Sequence, residues 1–351
     1  MHQYHVGIDL HKTVLQACVV DAKGEIVQEH RMRIPDLADG EAALEWLAPY
    51  LAQGRLAVEA LGCNRWFVNA CLARRWDVLV VNAARLALKR DGHKTDRRDA
   101  REIARRLYLG DLHRDARTYY PTEAEYGHRK LLRIRHGQVE KRTQTIAEIR
   151  SVLNAYKITP PNNQLRSRRA IAWLRTVELS TPDLKLAFGI LVDDLESVQQ
   201  RVSALNNAVK GCYEQDIPAQ ELGSTLPMAA AQTVLTIQAE LGDAHRFHTA
   251  RAVASYGGLP PRVTASADTA HHGRVTKRGN AHLRWILGQW AVRLLMHSEV
   301  AKAWAKPMYR RMHKNKVRVA LARRLLIGVW ITLTRGEVFS LERCLGLPRS
   351  A

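Results

Sequence analysis

YHVGIDLHKTVLQACVVDAKGEIVQEHRMRI, residues 4–34, decides how the first third of the chain folds. Tyr4 to Leu10 is a short apolar run with Asp9 near its end, followed by His11-Lys12. Leu15 to Val20 has the same character, and Ala22-Lys23-Gly24 is a hairpin turn into Glu25–Ile34. Beyond it, helix and strand alternate. Glu41 to Leu51 carries apolar residues at helical spacing, and residues 55–61 read as a strand with Glu59 near its end. Phe67 to Arg75 is helical and Asp77 to Val81 is a further strand. Hairpin-linked strands followed by this alternation predict an α/β domain over residues 1–115, a mixed sheet with helices on its faces. Ligands of such sheets collect at the carboxyl ends of the strands, where Asp9 and Glu59 fall.

The next motif is TDRRDAREIARRLYLG, residues 95–110. Thr95 reads as an N-cap, and Ala100, Ile103, Ala104 and Leu107 keep helical spacing. Asp96 and Asp99, three residues apart, leave one helical face. Alone they are an acidic first turn that complements the helix dipole. With Asp9 and Glu59 they are a candidate four-carboxylate cluster, a set of hard oxygen donors suited to Mg²⁺ or Mn²⁺. Metals so held can clamp the attacking and leaving oxygens of a phosphodiester.

Charge points the same way. The 351 residues carry 54 Lys+Arg against 34 Asp+Glu, a formal +20, and such a field selects polyanions, nucleic acid first. An acidic pocket in so basic a chain reads as a nuclease-like site. No run of about 18 apolar residues is present, so no membrane span is expected. The stretch MHQYHVGIDLHK lacks the charged and apolar regions of a signal peptide. The five cysteines show neither paired spacing nor CxxC, which fits reduced thiols in the cytoplasm and no zinc site.

Residues 116–221 read as a helical connector. Thr122 to Tyr156 is charged and helical, ended by Pro160-Pro161, and Ser180-Thr181-Pro182 starts another helix. There Leu184, Phe188, Leu191, Leu195, Val198, Val202, Leu205, Val209 and Cys212 alternate by four and three, a coiled-coil seam. It serves either an internal antiparallel helical hairpin or a coiled coil between protomers.

Residues 222–351 read as mainly helical. Leu222 to Leu226, Pro227 and a helix through Leu241 have the form of a helix–hairpin–helix, whose second helix offers an N-terminus to an anion. Gly257-Gly258 with Pro260-Pro261 predicts an irregular loop, exposed and rich in small residues, that contains Ser266. Asn280 reads as the cap of the next helix. From Arg274 to Arg324 fourteen basic residues face a single acid, Glu299, an imbalance expected of a nucleic-acid surface.

GIDLHK, VEALG and KTDRRDA match in order and spacing the DEDD motifs of insertion-sequence transposases with a RuvC-like, ribonuclease-H-like N-terminal domain. The chain is therefore identified as a member of the insertion-sequence family written IS one-ten. The C-terminal pattern continues the resemblance as Gly258-Leu259-Pro260, Ser266-Ala267 and KRGNAHLR at 277–284, with Ala267 where the family has glycine. Pro227-Met228-Ala229-Ala230 stands where the family has Pro-Gly-Ile-Gly. GIDL also opens the sugar-kinase and actin-like ATPases, but His11-Lys12-Thr13 supplies no glycine-rich phosphate turn and no Walker A motif occurs.

The resemblance implies a DNA recombinase of a mobile element. Asp9, Glu59, Asp96 and Asp99 would hold divalent metal, and Ser266 would be the nucleophile that links a DNA strand to the protein. Lys12, Arg274, Lys277, Arg278, Asn280 and Arg284 are the expected nucleic-acid contacts. Donor and target DNA, a structured guide RNA and further copies of the chain, as a dimer or tetramer, are the expected partners. Two other readings stand beside it: a RuvC-like junction nuclease that uses metal and water without a serine, and a nucleic-acid-binding protein without catalysis.

Overall fold

The computed structural model describes residues 2–82, 95–112, 117–162, 164–266, 269–275 and 279–347, without the side chains of 261–275. The chain divides into two compact units, Met1–Tyr120 and Pro121–Ala351. Among the described residues no helix is long and apolar enough to cross a membrane.

The first unit is a five-stranded mixed sheet. Its strands are β1 (Tyr4–Leu10), β2 (Val14–Asp21), β3 (Ile26–Arg33), β4 (Gly54–Glu59) and β5 (Asp77–Val81), in the order β3-β2-β1-β4-β5. The hairpin-linked strands pair antiparallel, while β4 lies parallel to β1 and to β5. Alternation along each strand sends two apolar sets to opposite faces. Val6, Ile8, Leu10, Leu56 and Val58 pack against α1 (Leu37–Leu51) and α2 (Arg65–Ala73). Cys18 and Val20, with Ala57, Leu79 and Val81, meet α3 (Asp96–Leu109) on the other face.

Gly7 decides how closely α3 lies on the sheet. A Cβ there would sit 2.2 Å from the Ala100 carbonyl oxygen and 2.4 Å from the Ala104 nitrogen, so the glycine admits the helix backbone directly onto β1. His5, earlier on β1, meets Tyr108 near the end of α3 with ring centroids 5.5 Å apart. The helix therefore runs against the direction of β1, and its first turn stands over the strand's carboxyl end.

The second unit is mostly helical. Helices α4 (Glu123–Ala155) and α6 (Pro182–Gln215) pack along one another. Arg135 bonds Asn206, Arg142 bonds Gln199 and Arg201 bonds Gln138, a pairing that descends on one helix as it rises on the other. Phe188, Val192 and Leu195 of α6 share a core with Ile146, Ile149 and Leu153 of α4 and with α5 (Arg168–Leu174). The internal antiparallel hairpin foreseen as one use of the seam forms within the chain, with α4 packed on the apolar stripe.

A second core joins α7 (Ile217–Thr225), α8 (Ala231–Leu241), α9 (Ala250–Tyr256), α10 (Ala281–His297), α11 (Glu299–Tyr309), α12 (Lys314–Arg335) and α13 (Leu341–Leu345). The loop expected around Ser266 is instead a hairpin of β6 (Pro261–Ser266) and β7 (Thr269–Val275). Pro261 stands first in its strand, where the missing N–H costs least, and Arg262 to Thr264 supply ordinary strand residues behind it. The Gly/Pro cluster before them hides that signal.

Candidate functional site

Strand β1 and helix α3 bring the site together. Asp9, the sixth residue of β1, is buried, and its Oδ2 lies 3.3 Å from His11 Nε2. The same nitrogen lies 3.3 Å from Asp96 Oδ1, at the first residue of α3. Thr95 caps that helix by accepting from the Arg98 N–H, which fixes the turn carrying Asp96 and Asp99. Potential ligand atoms of Asp9, His11 and Asp96 all fall within 4.8 Å of one another. Two carboxylate oxygens and an imidazole nitrogen that close form a donor set a divalent cation fits.

Glu59 ends β4 beside Asp9, since Ile8 pairs with Val58 one residue earlier. By strand alternation it shares the face of Ala57, which is the α3 face. The Asn64 side chain, itself buried, donates to the Glu59 carbonyl at 2.6 Å and holds the strand end. Asp99 follows Asp96 by three residues on α3. Neither Glu59 nor Asp99 joins the 4.8 Å group; they flank it on adjacent elements.

His11 was not foreseen as a ligand. The signal was His11 itself, one residue past the end of β1 and two after Asp9, where the turn into β2 begins. Basic side chains border the group. Arg31 Nη2 is 3.6 Å from Asp96 Oδ2, and Arg97 and Arg101 both bond Glu29. Those bonds, Arg101 first and then Arg97, hold the Glu29 carboxyl at about 2 against a weaker upward push from burial. Lys12 is exposed at the turn between β1 and β2.

In the second unit Ser266 is the last residue of β6, opposite Thr269, and Arg274 lies on β7. Lys277 and Arg278 lie outside the described residues. The residues that follow form the base of this hairpin. Gly279 has φ +96°, and a Cβ there would fall 2.6 Å from the Tyr256 oxygen and 2.8 Å from the Gly258 nitrogen, so only glycine fits between the segments. Asn280 donates its backbone N–H to the Tyr256 carbonyl and accepts from Leu283 N–H as the cap of α10. Its amide nitrogen also donates to Glu240 Oε2 at 2.7 Å. Arg284 donates to the Gly257 carbonyl at 3.3 Å. The Asn280 side chain is thus turned inward, tying the hairpin base together.

Glu240, fully buried on α8, is the hub of that base. Arg133 grips its carboxylate with two bonds of 2.8 Å, and His282 Nδ1 lies 3.2 Å from Oε1. Burial alone would raise this carboxyl, but bonds from His282, Arg133 and Asn280 hold it at about 2. Tyr256 and Arg129 donate to neighbouring α8 carbonyls. The turn before α8 keeps a left-handed residue where the chain has no glycine: Met228 has φ +58°. Trp290 fixes that turn by donating to the Pro227 carbonyl.

Comparison with known proteins covers both units. Residues 6–158 match the family model of DEDD transposases of the IS110 type, and residues 221–306 match the one described as transposase IS116/IS110/IS902 family. The chain is 26% identical over 341 residues to "Transposase for insertion sequence element IS1111A" of Coxiella burnetii, covering 95% of this chain and 90% of that protein. It is 26% identical over 350 residues to "Probable family 20 transposase" of Pseudomonas aeruginosa, covering 95% and 98%. To "Transposase for insertion sequence element IS1328" of Yersinia enterocolitica it is 26% identical over 229 residues, covering 62% and 66%.

Proposed function

Because the chain belongs to the IS110 family of insertion-sequence transposases, enzymes that cleave and rejoin DNA, we propose that it moves its element through a strand intermediate linked to Ser266. The observation that carries the reading is the convergence of Asp9, His11 and Asp96 at the end of β1, with Glu59 and Asp99 beside them. On this reading Asp9, Asp96 and His11 hold a divalent cation, Mg²⁺ or Mn²⁺, and Glu59 and Asp99 complete or orient the set. When bound, such an ion stabilises negative charge at phosphorus and lowers the pKa of a bound hydroxyl.

The Ser266 oxygen forms a bond to phosphorus, from the same chain or from a second copy. The bond from phosphorus to one sugar oxygen breaks, the serine proton passes to a base, and the leaving sugar oxygen takes up a proton. A freed hydroxyl of another strand later attacks the same phosphorus and releases the serine, so each phosphodiester lost is regained. Arg274, Lys277 and Arg278 offset charge on the five-coordinate phosphorus, while Lys12 and Arg284 support the backbone. Asn280 acts by holding the hairpin. A structured RNA supplies target choice, and two or four copies supply one site for each strand cut, acting in the cytoplasm on nucleoid DNA.

The test is a covalent adduct. The parent chain with divalent ion and end-bearing DNA should give a protein–DNA species whose linked peptide contains Ser266. Ser266→Ala should lose the adduct and keep DNA binding, and Asp9→Asn or Asp99→Asn should remove divalent-ion dependence together with activity. Nicked DNA without an adduct would replace this reading with metal- and water-dependent hydrolysis.

A further inference from the structure

Arg31 stands in line with the candidate metal group. Asp9 pairs with Gln16 and Gln16 with Arg31, so the three form one row across β1, β2 and β3. The row lies on the α3 face, because Cys18, two residues from Gln16 on β2, packs there. At the backbone Arg31 is two strand spacings, about 10 Å, from Asp9, and its side chain crosses that span toward Asp96.

The Asp96 carboxylate therefore has two neighbours. Its Oδ1 lies 3.3 Å from His11 Nε2, inside the metal group, and its Oδ2 lies 3.6 Å from Arg31 Nη2. The second contact is electrostatic, too long for a hydrogen bond. Among the described residues the Arg31 guanidinium forms no hydrogen bond, so charge alone holds its planar fork. Arg101 and Arg97 are placed differently. Both are committed to Glu29, whose carboxyl they hold at about 2. A cleft of about 530 Å³ opens beside these groups, lined by Gln16, Glu29, Arg31, Thr95, Asp96 and Arg97 among others. Arg31 is the lining cation whose counterion belongs to the metal group.

That pairing changes when the group is loaded. An Asp96 carboxylate that ligates a divalent ion gives up much of its charge, and Arg31 is left beside a second positive centre. A phosphate between the two removes the repulsion and supplies the acceptors that the guanidinium lacks.

On the reading that Asp9, His11 and Asp96 hold a divalent cation, we propose that Arg31 is a ligand of the phosphate that is cut. It donates hydrogen bonds to a non-bridging oxygen of the phosphodiester seated on the metal group. Asp96 is its partner in the empty site and phosphate its partner in the loaded one. Negative charge that builds on that oxygen is offset where it forms.

The experiment compares the full-length parent with Arg31→Gln, Arg31→Lys and Asp96→Asn. The Arg31 side chain is 65% exposed, so its replacement leaves the fold intact. Calorimetric titration with Mn²⁺ alone reads the metal group. Anisotropy of a labelled end-bearing duplex, read on mixing and before strands are cut, gives DNA affinity in Mn²⁺ and in chelator. Without DNA, Arg31→Gln should bind Mn²⁺ about two- to fivefold more tightly, the scale of one exposed ion pair that no longer competes for Asp96. Its DNA affinity in Mn²⁺ should fall about tenfold or more, the scale of hydrogen bonds to a charged group, while its affinity in chelator stays that of the parent. Arg31→Lys should bind Mn²⁺ as the parent does and recover part of the DNA affinity, since an ammonium keeps the charge and lacks the fork. Tighter Mn²⁺ binding with unchanged DNA affinity would make Arg31 a counterion only and overturns the proposal. So does an equal loss of DNA affinity in Mn²⁺ and in chelator, the mark of an ordinary backbone contact, and so does no change in either titration. If Asp96→Asn binds Mn²⁺ as the parent does, the metal group itself is wrong and the role of Arg31 falls with it. If that control loses Mn²⁺ and Arg31→Gln keeps its DNA affinity, the metal reading stands and the role of Arg31 alone is lost.

Discussion

Gly7→Ala tests the packing that creates the candidate metal site. The new methyl would begin 2.2 Å from the Ala100 oxygen and 2.4 Å from the Ala104 nitrogen, whereas ordinary contact starts near 3.4 Å. Both obstacles are backbone atoms, so no rotamer change relieves them. The helix must withdraw by about 1.2 Å, the difference between 3.4 and 2.2 Å. Its buried face, Ala100, Ile103, Ala104 and Leu107, then loosens along its whole length. Overpacking of this kind costs about 1–3 kcal/mol when side chains can adjust, and the rigid backbone here puts the expected loss at or above about 3 kcal/mol. Asp96 retreats with the helix, and the 4.8 Å group opens. Urea unfolding of the variant should show a lower midpoint at unchanged slope, and Mn²⁺ affinity measured in the folded range should fall about tenfold or more. Equal midpoint and equal affinity would refute the reasoning that Gly7 sets the distance between Asp9 and Asp96.

Other outcomes follow from single contacts. His11→Gln removes the nitrogen donor, so preference for Mn²⁺ over Mg²⁺ should shrink and nitrogen coupling in the Mn²⁺ spin-echo spectrum should vanish; a persistent coupling assigns the nitrogen elsewhere. Glu240→Ala strands His282, Asn280 and one face of Arg133, and should cost about 2–3 kcal/mol in denaturant, below the usual buried-pair figure because Arg133 is half exposed. Glu240 has its carboxyl held at about 2 in the fold, below the ordinary 4.5, so its contribution is complete above 4.5 and is lost as pH falls from there toward 2. The acid limb of the stability curve should therefore be shallower in Glu240→Ala. Met228→Gly relieves a left-handed residue at φ +58° and should raise stability by about 0.5–1 kcal/mol; a loss would mean the Met228 side chain contributes more than the strain removes.

Much of the first unit was legible because period-two and period-3.6 patterns there follow one another with clear turns. Asp21 and Gly24 mark the ends of strands that form where expected, whereas α1 starts at Leu37, capped by Asp36, four residues before the Glu41 start that apolar spacing suggests. The carboxylates were legible as strand-end and helix-start residues, since position on an element is a local property. His11 went unassigned for a local reason, its place just past the apolar run. Glu240 was hidden for a non-local one: it sits in an apolar helix, and its Arg133 partner is 107 residues upstream. The hairpin bearing Ser266 was hidden by the glycines and prolines before it. The seam of α6 was read correctly as a stripe, but periodicity states only that a face is covered, and the neighbour that covers it is α4. Gly279 shows the reverse case, where a motif glycine has its reason only in three dimensions, in the backbone of residues 255–258 that presses on it.

The most direct test of the metal centre is anomalous diffraction from crystals of this protein soaked in Mn²⁺. The account predicts a peak bounded by Asp9, His11 and Asp96, lost in Asp96→Asn. Strong Mn²⁺ peaks elsewhere with none at the end of β1 would contradict it.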